Sequence, residues 1–332
     1  MQSVFRRGTD GERLLEAARR PEEHSRSEST AIAVLIPCFN EAATIAAVVR
    51  SFKAAVPAAD IYVYDNNSTD QTISRAEAAG AIVRREPLQG KGNVVRRMFA
   101  DVEADVYVMV DGDSTYDAAQ TQKMIELLRA EKLDMVVATR VAQESGAYRH
   151  GHRFGNRLLT RAVGHLFGNR FTDMLSGYRV FSRRFVKSFP AMSRGFEIET
   201  ELTIHALELS LPVAEIETPY SGRITGSVSK LNTYSDGLKI LRLILVLYKN
   251  ERPLQFFSAI AAVLLVTALG LGIPLVITFI ETGLVFRQPT AILSTGLVLL
   301  AALSLVTGLV LDTVTRGRRE MRRLAYLSIK AP

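Results

Sequence analysis

Val106-Tyr107-Val108-Met109-Val110-Asp111-Gly112-Asp113-Ser114-Thr115 sets five apolar residues directly before two carboxylates. A short apolar run ending in turn formers reads as a buried strand that opens into a loop. The same pairing recurs upstream. Ile32–Ile36 precedes Pro37-Cys38-Phe39-Asn40-Glu41, and Ile61–Tyr64 precedes Asp65-Asn66-Asn67-Ser68-Thr69-Asp70. Ala81–Arg84 and its loop lead into Gly90-Lys91-Gly92-Asn93, and Met135–Ala138 is a fifth run. Helical patterns fill the gaps at Ala42–Val56, Gln71–Ala79, Asn93–Glu103 and Ala118–Glu131. Strands alternating with helices of about ten to fifteen residues predict an α/β fold with an open, mostly parallel sheet. Ligands of such sheets bind outside the carboxyl ends of the strands. The four polar loops are therefore the candidate site.

The chain has 332 residues, of which 48% are hydrophobic, enough for a large core. Its single cysteine, Cys38, excludes an intrachain disulfide, and tryptophan is absent. The net charge of +7 is local rather than general. Residues 31–139 hold 11 basic and 15 acidic side chains, residues 140–187 hold 10 and 2, and residues 316–332 hold 6 and 1. Two basic blocks beside membrane-type segments suit anionic lipid headgroups better than nucleic acid, so no nucleic-acid partner is expected.

Leu254–Ile280 and Pro289–Leu311 contain no charged residue. Each exceeds the roughly 20 residues needed to cross a bilayer. The link between them carries one basic residue, Arg287, while the tail carries Arg316, Arg318, Arg319, Arg322, Arg323 and Lys330. The positive-inside rule then places the tail and the α/β domain in the cytoplasm, on a multi-pass protein of the cytoplasmic membrane. Small residues in the spans (Ala268, Gly270, Gly272, Gly296, Gly308) permit close helix packing and a homo-oligomer. The expected organisation is an N-terminal extension over 1–30, read as mobile, and an α/β domain over 31–233. A juxtamembrane helix over 234–252, two spans over 253–312 and a basic tail over 313–332 follow. Residues 1–30 are charge-rich and lack a signal-peptide pattern. Phe154, Leu158, Leu159, Ala162, Val163, Leu166 and Phe167 repeat at helical spacing opposite Arg153, Arg157 and Arg161. That pattern predicts an interfacial helix over about 152–168.

The loops suggest chemistry. Asp111 and Asp113, two apart at a strand end, can share a hard cation such as Mg²⁺ or Mn²⁺ with a diphosphate. Equally, Asp113 can cap the next helix. Gly90-Lys91-Gly92 lacks the Walker pattern, since no Gly stands five residues earlier and no Ser or Thr follows Lys91. Gly-x-Gly-x-x-Gly is also missing after the first strand, which argues against NTPase and NAD-dependent oxidoreductase functions.

Pro37-x-x-Asn40-Glu41, Asp65-Asn66-Asn67-Ser68-Thr69-Asp70, Gly90-Lys91-Gly92 and Asp111-x-Asp113, in this order, resemble a family 2 glycosyltransferase with the GT-A fold. Asp173-Met174-Leu175-Ser176-Gly177-Tyr178-Arg179 and Arg223-x-x-Gly226-Ser227-x-Ser229-Lys230-Leu231 resemble signatures of polyprenyl-phosphate glycosyltransferases of the dolichol-phosphate mannose synthase type. The resemblance implies transfer of a sugar from a UDP-sugar, or a GDP-sugar, to polyprenyl phosphate, with inversion. It implies that Pro37, Phe39 and Glu41 line the nucleobase and ribose, that Asp65 bonds the base, and that Asn67 and Lys91 belong to the donor site. Asp111 and Asp113 would hold the metal, with Asp113 at the catalytic centre. Arg179, also catalytic, would meet the lipid phosphate with Arg183 and Arg184, and Arg223, Ser229 and Lys230 would close over the diphosphate. Asp173 is the candidate base or orienting group, or else a cap on the Ser176-Gly177 turn. Glu199, in Phe196-Glu197-Ile198-Glu199-Thr200-Glu201, is a further candidate, or an acid favoured by a helix start. Two positions depart from the pattern: Asn66, where a second acid is common, and Thr115, where some relatives have Gln.

Elementary chemistry supports these roles. Charge grows on the leaving diphosphate, and a divalent cation or fixed Lys or Arg stabilises it. A phosphate monoester acceptor is largely ionised at neutral pH and needs little deprotonation. A processive polysaccharide synthase of the same fold would carry Gln-x-x-Arg-Trp, which a chain without tryptophan lacks. A non-catalytic lipid- or partner-binding module is disfavoured by the intact Asp111/Asp113 pair.

Overall fold

The apolar runs pair into one seven-stranded sheet in the order β3-β2-β1-β4-β6-β5-β7. The computed structural model describes residues 30–142, 161, 163–164, 171–195, 197–221, 242 and 245–330. The strands are β1 (Ile32–Cys38), β2 (Ala59–Asp65), β3 (Ile82–Arg85), β4 (Val106–Met109), β5 (Met135–Ala142), β6 (Arg179–Ser182) and β7 (Val213–Tyr220). The helices of the domain are α1 (Ile45–Ala55), α2 (Thr72–Ala78), α3 (Lys91–Asp101), α4 (Gln120–Ala130), α5 (Arg183–Ser188) and α6 (Ile198–Glu208). The interfacial helix expected over about 152–168 lies almost wholly outside the described residues, as do Arg223, Ser229 and Lys230. Residues 245–251, in the expected juxtamembrane segment, are helical.

β1 pairs in parallel with β2 and β4, in registers that include Ile36↔Val63 and Leu35↔Met109. β6 is antiparallel to both β4 and β5, and Arg179 stands opposite Met109 and Val137. β5 therefore runs the same way as β4, and β7 follows it in parallel. The carboxyl ends of β1, β2, β4, β5 and β7 share one edge.

Alternate residues feed two cores. Leu35, Tyr107, Met109 and Phe181 pack with Met98 and Phe99 of α3, Phe185 of α5 and Leu202 of α6. Val34, Ile36, Val108 and Val110 pack with Val48, Val49 and Phe52 of α1 and Met124 and Leu128 of α4. Each fully buried side chain of this size contributes about 1.5–3 kcal/mol, which anchors the strand ends that carry the loops.

Two helices follow, α7 (Pro253–Thr282) and α8 (Gln288–Leu327), both long and apolar enough to cross a membrane. They pack through small residues. Ser294 Oγ donates to Ala268 O at 2.8 Å and Ser304 Oγ to Phe257 O at 3.1 Å. A Cβ on Gly308 would stand 2.9 Å from Phe257 Cβ. Gly270 and Gly296 have nothing within 4 Å of that position. The basic tail is not a separate segment. Residues 313–327 continue α8 and lie against the α/β domain, with Tyr326 Oη donating to Asp134 Oδ2 at 2.6 Å.

Candidate active site

The polar loops are tied to one another at the carboxyl edge. Asn40, at φ 54°, accepts from Thr69 N at 2.8 Å, and its own N–H donates to Ser68 Oγ at 2.8 Å. Glu41 N donates to Thr72 Oγ1 at 2.9 Å and Ala42 N to Asp70 Oδ2 at 3.1 Å. These bonds hold residues 37–41, which include Pro37, Phe39 and Glu41, against the loop after β2. They also explain why α1 begins at Ile45 rather than at Ala42.

Asp65 ends β2 and is 2% exposed. Its Oδ2 accepts from Ser68 N at 3.0 Å, while its Oδ1 is buried without a hydrogen-bond partner. A buried acceptor in that state costs about 1–3 kcal/mol and is tolerated where a ligand supplies the donor. Cys38, level with Asp65 in the sheet, reports the local field. Burial pushes its thiol well up, and Glu41, Asp65, Asp111 and Asp113 push the same way. Four carboxylates thus converge on one spot.

Asn66 and Asn67 hold the third loop. Asn66 Nδ2 donates to Glu86 O and Leu88 O, both at 2.8 Å, and its Oδ1 accepts from Gly90 N at 2.7 Å. Asn67 Nδ2 donates to Pro87 O at 2.8 Å. Where a second acid was expected, an amide that both donates and accepts shapes the approach to Lys91. Gly92 N donates to Arg194 O at 3.1 Å, and a Cβ there would lie 2.2 Å from Ser193 O. Only glycine lets the loop settle on that backbone. Lys91 Nζ then reaches Asp111 Oδ1 at 2.5 Å and also bonds Glu199, in the first turn of α6. Burial works against the Lys91 charge, but the two carboxylates outweigh it and raise its pKa above the ordinary lysine range. The ammonium is a fixed positive charge, and the structure brings Glu199 to it.

Asp113 is buried and accepts from Thr115 Oγ1 at 2.6 Å. It does not cap α4, whose N-cap is Ala119. Thr115, at the expected Gln position, fixes this carboxylate. Asp111 is packed against Gly177, where a Cβ would fall 2.3 Å from Asp111 Oδ2. Gly177 N donates to Tyr116 Oη at 3.0 Å and Ser176 Oγ to Ala138 O at 2.6 Å. The Ser176-Gly177 turn is therefore the wall behind Asp111.

Asp173 accepts two bonds from Arg140, from Nε and Nη2, each at 2.7 Å. The Arg140 guanidinium also lies 5.5 Å from the Tyr220 ring centroid. A bidentate pair of this kind fixes the relative geometry of the two groups. Asp173 orients Arg140. Arg140 lies two residues before the end of β5 and Tyr220 ends β7, and the sequence singled out neither. The polar Thr139-Arg140 hid the last part of β5, so neither residue stood out at a strand end.

The three arginines expected at the lipid phosphate, Arg179, Arg183 and Arg184, are engaged elsewhere. Arg179 is 0% exposed. It donates to Ser176 O at 2.9 Å, Met174 O at 2.6 Å and Thr203 Oγ1 at 2.9 Å. Burial, opposed by Glu199 and Asp173, pushes its pKa down to about 10. It braces the Met174–Ser176 turn from inside. Arg183 and Arg184 follow an antiparallel strand and so stand at the opposite edge, since Ser182 is level with Val106. Arg183 pairs with Glu103 at 2.9 Å, and Arg184 pairs with Asp134 at 3.3 Å.

Asp111 and Asp113 suit a hard divalent cation. Among the described residues no cluster of three or more His, Cys, Asp or Glu could hold a metal ion alone. Two carboxylates completed by substrate phosphates and water are the ordinary manner of Mg²⁺ binding. The crowd of carboxylates sensed by Cys38 supplies the field for it.

Comparison with known proteins agrees with this arrangement. Residues 33–189 match the model of Glycosyl transferase family 2. Glycosyltransferase AglJ of Haloferax volcanii is 33% identical over 300 residues, which cover 90% of this chain and 98% of that protein. An uncharacterized protein of Shigella flexneri is 57% identical over 157 residues, 47% of this chain and 96% of its own length. The glucosyl-3-phosphoglycerate synthase of Mycobacterium tuberculosis, solved with Mn²⁺, UDP-glucose and phosphoglyceric acid, has a TM-score of 0.54 at 25% identity. That match covers 67% of this chain and 79% of the other. The sheet is of the GT-A type.

Proposed function

The chain belongs to glycosyl transferase family 2 and is a glycosyltransferase, and from that premise we propose that it transfers a sugar from a UDP-sugar to polyprenyl phosphate at the cytoplasmic face of a membrane. The observation that carries this reading is the union, in one chain, of a diphosphate-type site with a helical pair of membrane-spanning length. The site is Asp111, Asp113 and Lys91 at the carboxyl edge, and the pair is α7 and α8. The dolichol-phosphate mannose synthase type belongs to this reading. So does a homo-oligomer, for which Gly270 and Gly296 leave a small outer face on the hairpin.

In the mechanism, the unpartnered Oδ1 of Asp65 accepts from the nucleobase, and residues 37–41 wall the nucleoside. Asp111 and Asp113 would hold Mg²⁺ or Mn²⁺, which when bound offsets charge on the leaving diphosphate. Lys91, pinned by Asp111 and Glu199, adds a second fixed positive charge beside it. The acceptor phosphate is ionised at neutral pH, so it attacks without a strong base. Arg140, oriented by Asp173 and backed by Tyr220, attracts it to the same edge. Arg223, Ser229 and Lys230 complete the donor site in this proposal. The bound Mn²⁺ and UDP-glucose of the mycobacterial synthase support the metal and the donor class.

The test is a donor screen with purified protein in detergent, undecaprenyl phosphate, Mg²⁺ or Mn²⁺, and a panel of UDP- and GDP-sugars, read by the mass of the lipid product. One donor yielding a lipid-phosphate sugar, lost with EDTA, is the expected outcome. Nucleotide release without any lipid product would overturn the acceptor.

A further inference from the structure

The arginines at the end of α8 look in sequence like a patch for lipid headgroups, yet the fold turns them inward. Arg322 pairs with Glu208, whose side chain is 0% exposed, and Arg319 Nε lies 3.4 Å from the same carboxylate. Arg318 and Arg319 both reach Glu251, at 3.2 and 2.9 Å. Removing two carboxylates from water costs several kcal/mol each unless cations and hydrogen bonds match them. The arm supplies the cations, three guanidinium groups, although Glu208 Oε1 accepts no hydrogen bond. Arg323 Nη1 donates to Leu209 O at 3.1 Å and Thr315 Oγ1 to Asn250 O at 3.1 Å. Tyr326 Oη bonds buried Asp134 at 2.6 Å, with the Arg184 guanidinium 4.2 Å from its ring centroid. One helix thus grips the neck just before α7 (Asn250 and Glu251), the end of α6 (Glu208 and Leu209) and the start of β5 (Asp134).

α8 is unbroken from Gln288 to Leu327, so the arm cannot turn independently of the hairpin helix it extends. From Thr315 to Tyr326 it reaches about 16 Å along the domain, at 1.5 Å per residue. We propose that this arm is a strut that holds the α/β domain at one height and tilt above the hairpin, with Arg319, Arg322 and Tyr326 as positioning residues for the membrane-held acceptor. The inference rests on the acceptor proposed above. A domain tied to its hairpin by the neck alone samples many orientations, and the effective concentration of acceptor at its site falls accordingly. Chemistry at Asp111, Asp113 and Lys91 is untouched, since those residues lie at the opposite edge.

The experiment uses full-length protein in lipid vesicles with two acceptors that share one phosphate head, a long-chain polyprenyl phosphate in the bilayer and a water-soluble ten-carbon prenyl phosphate. Arg319→Ala/Arg322→Ala should lower the rate on the bilayer acceptor about tenfold while the soluble acceptor and the donor KM move less than about twofold. Tyr326→Phe keeps the ring under Arg184, removes one hydrogen bond, and should show the same split at about threefold. Arg322→Lys, which keeps the charge, should recover most of the loss. Equal losses on both acceptors in Tyr326→Phe, or no loss on either in the double variant, would overturn the strut and leave the acceptor reading standing. Wild-type protein silent on both acceptors would overturn that reading and the strut with it.

Discussion

The two edges of the sheet use the same residue types to opposite ends. At the carboxyl edge Glu41, Asp65, Asp111 and Asp113 all act on Cys38, and Lys91 pairs with Asp111 and Glu199. There the Asp111 side chain is 30% exposed and Asp65 Oδ1 has no hydrogen-bond partner. At the amino edge Asp134, Glu208 and Glu251 are each met by a guanidinium, and Asp134 by Tyr326 as well. These carboxylates are nearly sealed from water. The lesson is that charge by itself marks neither stability nor function. Charge within reach of solvent marks a place for a ligand, and charge shut in with its counter-ions marks a joint.

Substitution at each edge should separate the two uses. Asp111→Asn or Asp113→Asn should lower turnover by about 10³-fold, the upper range for losing one electrostatic contact to a developing charge. The melting temperature should barely change, because neither carboxylate braces a core element. Normal turnover in both variants would remove the metal assignment and, with it, the functional side of the contrast.

Lys91→Met strikes a group that serves both purposes. It leaves the Glu199 carboxylate buried without its cation, a change that costs roughly 3 kcal/mol when a buried pair is broken. Adding Glu199→Gln should restore most of that stability in urea titrations and none of the turnover. If the single variant were as stable as wild type, Lys91 would belong wholly to the ligand side. At the amino edge, Arg322→Ala should cost about 2 kcal/mol, less because Arg319 remains near Glu208. Glu208→Gln in the same chain should recover it, with the rate on the soluble acceptor unchanged throughout.

The contrast also explains what the sequence could disclose. The strands β1 to β5 and the four loops were legible because apolar periodicity and turn formers are local signals, and the loops that carry Asp65, Lys91 and Asp111 came with them. Glu199 was a weaker suggestion, which the structure sets in contact with Lys91. β6, Arg179–Ser182, opens on an arginine and closes on a serine, so only Val180 and Phe181 mark it as a strand, and its reversal decides where everything after it goes. Arg179 therefore looked like a free cation and is a buried brace, while Arg183 and Arg184 moved to the wrong edge for a ligand. Arginines are seldom buried unless paired, so residue type itself misdirected the expectation. The partners of the arm are equally non-local, since Arg322 and Glu208 are 114 residues apart. A count of basic residues in a tail cannot tell a headgroup patch from a set of ion pairs already closed.

His205 offers the mildest test, because α6 connects the two edges. Glu199 stands in the first turn of that helix and Glu208 at its end, with His205 between them, 2% exposed. Its ring lies edge-on to Phe185 and Phe189, with centroids 5.3 and 5.4 Å away, and its Nδ1 has no hydrogen-bond partner. Burial first, then the Arg322 charge, pushes its pKa down to about 3. The folded protein keeps the imidazole neutral, whereas the unfolded chain takes up a proton near the ordinary value of about 6.5. Between those values the unfolded state binds more protons, so stability falls as the pH drops below about 6.5. From pH 7 to 5.5 this one group should remove about 1 kcal/mol. His205→Gln, which cannot titrate, should flatten that part of the acid limb in urea titrations at the two pH values, and parallel losses in both proteins would dismiss the assignment. Arg322→Ala should narrow the same limb slightly, because the cation that helps keep His205 neutral is the one that closes the joint at the amino edge.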